Sequence, residues 1–412
     1  MMLNSEKMIL SIERQDLAHA KKYFAKALKN DDDDSLLSLG QYLESIGFLQ
    51  EAKVIYVKLA PKYPEVNINL AQIVAEDDAI EEAFLYLDHI SKDSPDYLNA
   101  LLVMADLYDL EGLTDVAKEK LLEASQISDD PLILFGLAEI ELDLGQFQEA
   151  ITNYSKLDNR DILELTGIST YQRIGCAYAS LGKFEAAIEF LEKAISIEYD
   201  DDTVYELATL LVDQEEYQKA NLYFKQLEAM NPDFQGYEFV YAKSLHEEHK
   251  TQEALRLTQQ ALRKNAFDGQ LLLLASQLSY ELHDVEAAEN YLLSAKEVAL
   301  DDEEVMMRLS TLYLDLERYD DLLAYADGDW DNVLTKWNMA KAYHASDLEE
   351  QALTIYQAIE ADLKDNPEFL SEYAYLLREF GMRDKAKEIV IAYLSQVPDD
   401  LNMQAFLEEL SE

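Results

Sequence analysis

The chain has 412 residues, more than one hydrophobic core serves, so it is either several domains or an array of repeats. With 34 basic against 83 acidic residues, its formal net charge of −49 repels phosphate backbones and anionic lipid headgroups, so neither direct nucleic-acid binding nor membrane insertion is expected. Only 12 Gly and 7 Pro interrupt a composition of good helix formers. The single cysteine, Cys176, rules out an intramolecular disulfide and fits a reducing, cytoplasmic location. The opening segment, Met1 to Ala20, carries charges every few residues where a secretory signal needs an apolar core.

In chain order, a small residue followed four positions later by a bulky one and seven later by another apolar one recurs almost throughout. The stripe reads Ala20/Phe24/Ala27, Ala52/Tyr56/Leu59, Ala83/Leu87/Ile90, Ala117/Leu121/Ala124, Ala150/Tyr154/Leu157 and Ala187/Leu191/Ala194. It continues as Ala220/Phe224/Leu227, Ala254/Thr258/Ala261, Ala288/Leu292/Ala295, a degenerate Leu322/Ala326, Ala352/Tyr356/Ile359 and Ala386/Val390/Tyr393. These offsets put each triplet on one face of a helix, where the small residue admits a neighbouring helix and the larger one fills the gap. An earlier helix in each unit has its own stripe, as at Ile174, Gly175 and Tyr178, so each unit is two helices and twelve units fill the chain.

Turn chemistry divides the chain at the same places. Asp31 to Asp34, Asp129 to Asp130, Asp200 to Asp202, Asp301 to Glu304 and Asp399 to Asp400 lie between units, where a carboxylate caps the next helix. Gly47, Gly112, Gly145, Gly182 and Gly381 fall where the first helix of a unit turns into the second. Two intervals break phase, growing to 37 residues between Ala150 and Ala187 and shrinking to 30 between Leu322 and Ala352. Asp158 to Thr170 and Asp327 to Asn332 are therefore expected kinks. They divide the array into an N-terminal stretch 1–157, a central stretch 158–326 and a C-terminal pair 327–398. Asp400 to Leu410 closes it as a helix with one apolar face.

The segment from Ile174 to Ala194, with Gly175, Tyr178, Gly182, Ala186, Ala187, Phe190 and Ala194, resembles a tetratricopeptide repeat, and the in-phase matches extend the resemblance over essentially the whole chain. It is closest in character to acidic, cytosolic, bacterial arrays of that type. The resemblance implies an all-α fold, an α-α superhelix of about twelve helix-turn-helix units with a C-terminal capping helix. It also implies a scaffold or adaptor that holds a partner protein in a concave groove. The competing reading is an acidic chaperone or nucleic-acid mimic that sequesters basic proteins.

By the same resemblance, the groove wall is formed by first-helix positions at i, i+4 and i+7. In the N-terminal units these include Glu44, Asp106, Asp109 and Glu139, an acidic stripe that is either a site for a basic partner or a solvated face of an acidic protein. In the C-terminal units they include Lys243, His246, Tyr280, Trp337, Lys341, His344, Tyr375 and Arg378, with no carboxylate among the wall positions. The aromatics are then apolar anchors and the bases orient a partner segment that is extended or helical and not strongly basic. The alternative is that the aromatics pack against the adjacent unit and the bases pair with rim acids.

Chemistry of other kinds finds no footing. There is no glycine-rich phosphate loop, GxSxG or CxxC, so no catalytic residue, cofactor or metal is expected. His246-Glu247-Glu248-His249 spaces two imidazoles for a metal, yet it closes a helix where a turn is due. Asp327-Gly328-Asp329-Trp330-Asp331-Asn332 is similar to the opening of a calcium loop. It then has Asn332 where such a loop needs glycine and Asn338 where it needs a bidentate glutamate, so helix capping is the expected role.

Overall fold

The computed structural model describes residues 2–298 and 302–411. Among these residues the secondary structure is helical, with 26 helices, one more than twelve pairs and a closing helix would give, and no strand. The contacts divide the chain into two compact units, Met1–Leu210 and Leu211–Glu412, a division that coincides with neither phase break.

The first unit holds the pairs α1 (Asn4–Glu13) with α2 (Leu17–Asn30), α3 (Asp33–Ser45) with α4 (Leu49–Leu59), α5 (Val66–Glu76) with α6 (Ile80–Leu87), and α7 (Tyr97–Leu110) with α8 (Thr114–Ser125). Then come α9 (Pro131–Asp143) with α10 (Phe147–Tyr154), the unpaired α11 (Asn159–Thr166), and α12 (Thr170–Ser180) with α13 (Phe184–Ile197). α14 (Asp201–Asp213) runs across the division and is followed by α15 (Tyr217–Met230). The second unit continues with α16 (Tyr237–Glu247) and α17 (Thr251–Lys264), α18 (Gly269–Glu281) and α19 (Val285–Glu297), and α20 (Asp302–Asp315) and α21 (Tyr319–Leu323). It ends with α22 (Val333–Ala345) and α23 (Glu349–Ile359), α24 (Pro367–Glu379) and α25 (Arg383–Gln396), and the closing α26 (Leu401–Glu409).

The small stripe positions are where the helices come closest. From Ala52 through Ala83, Ala117, Ala150, Ala187, Ala220 and Ala254 to Ala352 and Ala386, each leading alanine is fully buried. A larger side chain there would force its neighbours off their rotamers. The bulky residues four positions on fill the remaining space: Tyr56, Tyr154, Phe224 and Tyr356 are all core residues.

The turn inside every pair takes the same left-handed conformation. Gly47, Gly112, Gly145, Gly182 and Gly381 adopt it at φ from 70° to 78°. In the other units Gln15, Asp78, Glu215, His249, His283, Glu317 and Asp347 hold the same place at φ from 54° to 63°, although a side chain makes that conformation costly. Between pairs the expected carboxylate caps form: Asp32 accepts from the Ser35 N–H (2.8 Å), Asp130 from Leu132 (2.9 Å) and Asp200 from Thr203 (2.8 Å). Asp301 lies outside the described residues.

Both phase breaks have a local cause. The long interval contains the extra helix α11, started by Asp158 accepting from the N–H groups of Arg160 and Asp161, and ended by Gly167 at φ 74°. Ile162 anchors this helix in the core, and Asn159 ties it to α12 by accepting from the Ser169 and Thr170 hydroxyls. The short interval arises because α21 is only 5 residues long. There the buried Leu322 stands in the small-residue place, and the chain beyond it is held by a Trp330 indole N–H bond to the Tyr325 carbonyl (2.8 Å). The Glu303 carboxylate also accepts the backbone N–H groups of Asp331 and Asn332. Met403, Phe406 and Leu410 of the last helical segment are buried against α25 and the rest of the terminal core, as the capping role requires.

Candidate functional site

In the first unit the acidic stripe divides into two kinds of carboxylate. Glu44 accepts from the Tyr56 hydroxyl (2.5 Å) and the Asn69 amide, and Glu139 accepts from the Tyr154 hydroxyl and from Arg173 Nε (3.0 Å). Both tyrosine rings are core residues, so their hydroxyls need an acceptor, and the carboxylates reach inward to supply it. Burial, reinforced by the accepting carboxylate, pushes both phenols far above their ordinary range. Among the described residues Asp106 and Asp109 meet no basic partner. Desolvation, with the Asp109 charge adding to it, raises the Asp106 carboxyl above its ordinary value.

In the second unit Trp337 is 6% exposed and packs edge-on against Phe369. Its indole N–H donates to Glu372 (2.9 Å), which also accepts the Tyr356 hydroxyl. Trp337 is therefore a core residue and not an exposed anchor, a correction to the sequence expectation. The cause is Phe369 and Glu372 on α24, which cover the ring and satisfy its N–H. Lys341 lies over the indole face at 3.9 Å and pairs with Glu368 (2.9 Å) and Glu372 (3.3 Å).

The remaining wall bases also meet acids. His246 Nε2 lies 2.7 Å from Glu281, His344 Nδ1 lies 2.7 Å from Glu349, and Arg378 pairs with Glu409. Lys243 differs in sitting over the Phe239 ring, at 5.4 Å. Tyr375 stacks on Phe406 yet stays 42% exposed, and Tyr280, whose hydroxyl donates to Asp315 (2.7 Å), is 43% exposed.

A cleft of about 330 Å³ opens between α18, α19 and α20. Its floor is Ala288, Leu292 and Leu312, and its walls are Gln277, Tyr280, Met307 and Thr311, with Arg308 and Asp315 at the edge. Gln277 and Tyr280 stand on α18, and Met307 and Thr311 on α20, the first helices of successive pairs. Arg308 is held by Glu304 (2.7 Å), while its Nε is buried with no hydrogen-bond partner among the described residues.

The other candidates resolve as structural parts. His249 sits in the left-handed turn that closes the pair and His246 lies 2.7 Å from Glu281. Asn332 caps α22 by accepting from the Thr335 N–H (3.1 Å), the helix-capping role expected of this segment. Cys176 donates to Glu206 (3.0 Å), and burial together with that carboxylate raises its thiol well above the usual range, leaving it a poor nucleophile.

Paired helices of this length, small residues at the contacts and a left-handed turn in every pair define a helical-repeat scaffold, and the chain is a tetratricopeptide-repeat protein. Tetratricopeptide-repeat family profiles match residues 168–201 and 205–269. Profiles described as YpiA-like tetratricopeptide repeats and YpiA-like C-terminal tetratricopeptide repeats match 110–162 and 334–400. Along most of its length the chain is similar to the TPR repeat-containing protein YpiA of Bacillus subtilis (strain 168), at 27% identity over 394 residues, covering 92% of this chain and 90% of that one. Among solved structures, the APC/C hetero-tetramer Cut9-Hcn1 aligns over 99% of this chain and 96% of that chain, with TM-score 0.37 and 14% identity. YrrB, described as a TPR protein with an unusual peptide-binding site, aligns over 48% of this chain and 97% of its own, with TM-score 0.39 and 20% identity. No helix among the described residues is long and apolar enough to cross a membrane.

Proposed function

We propose that this protein is a cytoplasmic, non-enzymatic scaffold that holds a partner protein, and that the cleft between α18 and α20 receives an apolar side chain of a partner segment. One observation carries the reading: a cavity of about 330 Å³ with an apolar floor lies between the first helices of successive pairs, beside a tyrosine that is 43% exposed. A pocket that takes one apolar anchor, rimmed by a few oriented polar groups, is how a small patch supplies most of an interface's binding energy. Tyr280 and Gln277 line the approach, Lys243 and Tyr375 extend the surface, and Trp337 stiffens the wall from within. Sequestration of basic proteins is the weaker reading, since Glu44 and Glu139 serve buried tyrosines and only Asp106 and Asp109 remain as an uncompensated pair.

A peptide library panned on the full chain tests the proposal. Peptides selected on the parent are expected to lose at least tenfold in affinity for Thr311→Arg, which fills the cleft from an exposed position. They are expected to bind Leu222→Arg, remote on α15, as well as the parent. Equal binding by Thr311→Arg refutes the cleft. Raising ionic strength separates the readings, because acid-driven sequestration weakens steeply with salt and apolar anchoring persists.

A further inference from the structure

At the far end of the second unit three ligand-type side chains converge from three helices. His344 lies in the last turn of α22, Glu349 opens α23, and Glu379 ends α24 in the following repeat. One donor atom from each lies within 4.8 Å of the other two, and His344 Nδ1 is already 2.7 Å from the Glu349 carboxylate. Two carboxylates this close repel each other unless a cation stands between them. Among the described residues no lysine or arginine forms an ion pair with either, and His344 is the one basic group at hand: Lys341 is engaged by Glu368 and Glu372, and Arg378 by Glu409. All three side chains reach solvent, so an ion has access.

We propose that His344, Glu349 and Glu379 bind one divalent transition-metal ion of the zinc class, although the sequence by itself led to the expectation of no metal. An imidazole nitrogen with two carboxylates is a borderline donor set that suits zinc and its neighbours better than magnesium or calcium, which favour all-oxygen shells. Zinc–nitrogen and zinc–oxygen bonds of about 2.0–2.2 Å place tetrahedral ligand atoms about 3.4 Å apart. Small rotations of the two glutamate side chains therefore complete the shell, and water takes the fourth position. Because Glu379 belongs to the next repeat, the ion pins the α22–α23 turn, with its left-handed Asp347, to the end of α24. Binding only the folded arrangement, it stabilises this pair of repeats against unfolding.

The test uses the full chain, stripped with a chelator and titrated with Zn²⁺ in a calorimeter, with melting followed in parallel. One equivalent is expected to bind with a micromolar or tighter dissociation constant and to raise the melting temperature. A hundredfold excess of Mg²⁺ is expected not to displace it. His344→Ala and the near-isosteric Glu379→Gln are each expected to weaken binding at least tenfold with helicity unchanged, while His246→Ala, which removes a different His–Glu pair, binds as the parent does. Absence of a saturable equivalent, displacement by Mg²⁺, or undiminished binding by Glu379→Gln overturns the site and assigns any uptake to the diffuse acidic surface.

Discussion

Gly136 and Gly175 lie in the first helices α9 and α12 at different places in the repeat, Gly175 facing the bulky stripe residue and Gly136 two residues out of that register, and the structure predicts opposite outcomes when each becomes alanine. In an exposed helix interior, alanine is favoured over glycine by about 1 kcal/mol. A Cβ on Gly136 meets nothing closer than the Leu121 methyls at 3.8 Å and 3.9 Å, ordinary contact distances, so the helix gains its propensity unopposed. A Cβ on Gly175 falls 2.7 Å from Leu191 Cγ and 3.3 Å from the Ala187 carbonyl. Leu191 is buried, its branch carbon as well as its Cδ2 methyl (2.8 Å) is in the way, and the carbonyl behind it is backbone. Overpacking of this kind costs about 1–3 kcal/mol, which cancels or exceeds the propensity gain. Gly136→Ala is therefore expected to stabilise by up to about 1 kcal/mol, and Gly175→Ala to leave stability unchanged or lower it by up to about 2 kcal/mol. Because each repeat leans on its neighbours, the change should be read locally as well as globally. Guanidinium melts should be paired with hydrogen exchange, where protection falls in α12 and α13 for Gly175→Ala alone. A Gly175→Ala protein as stable as Gly136→Ala would refute the reasoning that Leu191 sets the limit.

Four further outcomes follow from the same geometry. Trp337→Ala removes a core ring packed on Phe369 and is expected to cost about 3–5 kcal/mol, seen as a lower denaturant midpoint with exchange concentrated in α22 to α24; a change under about 1 kcal/mol would mean the indole is not core. Glu317→Gly relieves a side chain held at φ 54°, worth about 1–2 kcal/mol, less about 0.5–1 kcal/mol for the added chain entropy, so the melting temperature should rise slightly. Glu289 is held below its ordinary pKa, first by hydrogen bonds from Arg318 and then by Tyr313. Its stabilisation is thus present above the unfolded value of about 4.3 and lost as pH falls through the lower folded value, and Glu289→Gln should flatten that acid limb in melts taken across it. Finally, at a net charge of −49, added salt screens self-repulsion, so the parent's melting temperature should rise between low and physiological ionic strength.

The repeat phase, the two helices of each unit, the glycine turns, the Asp caps and the closing helix were all legible in the sequence, because each depends on residues within one or two turns of the chain, whereas the seven turns made by non-glycine residues carry no such mark. Ala187 must be small for any helix to pass it, and Gly182 must turn where its pair reverses. What the wall residues do was not legible in the same way. Glu44 and Glu139 stand at groove positions but are spent on Tyr56 and Tyr154, and a signal was present in that a tyrosine at the bulky stripe position needs an acceptor where Phe224 does not. Trp337 reads as a groove aromatic until Phe369 and Glu372, one repeat on, cover it. The α11 helix reads only as a lengthened interval, because eight residues between two turns do not show the periodicity that marks a helix pair. His344, Glu349 and Glu379 are unremarkable along the chain and meet only because α24 brings its end beside the α22–α23 turn. Periodicity and turn chemistry are local and survive in one dimension. Which side chains meet across about one repeat of intervening chain depends on how successive helices stack, and only the tertiary structure decides it.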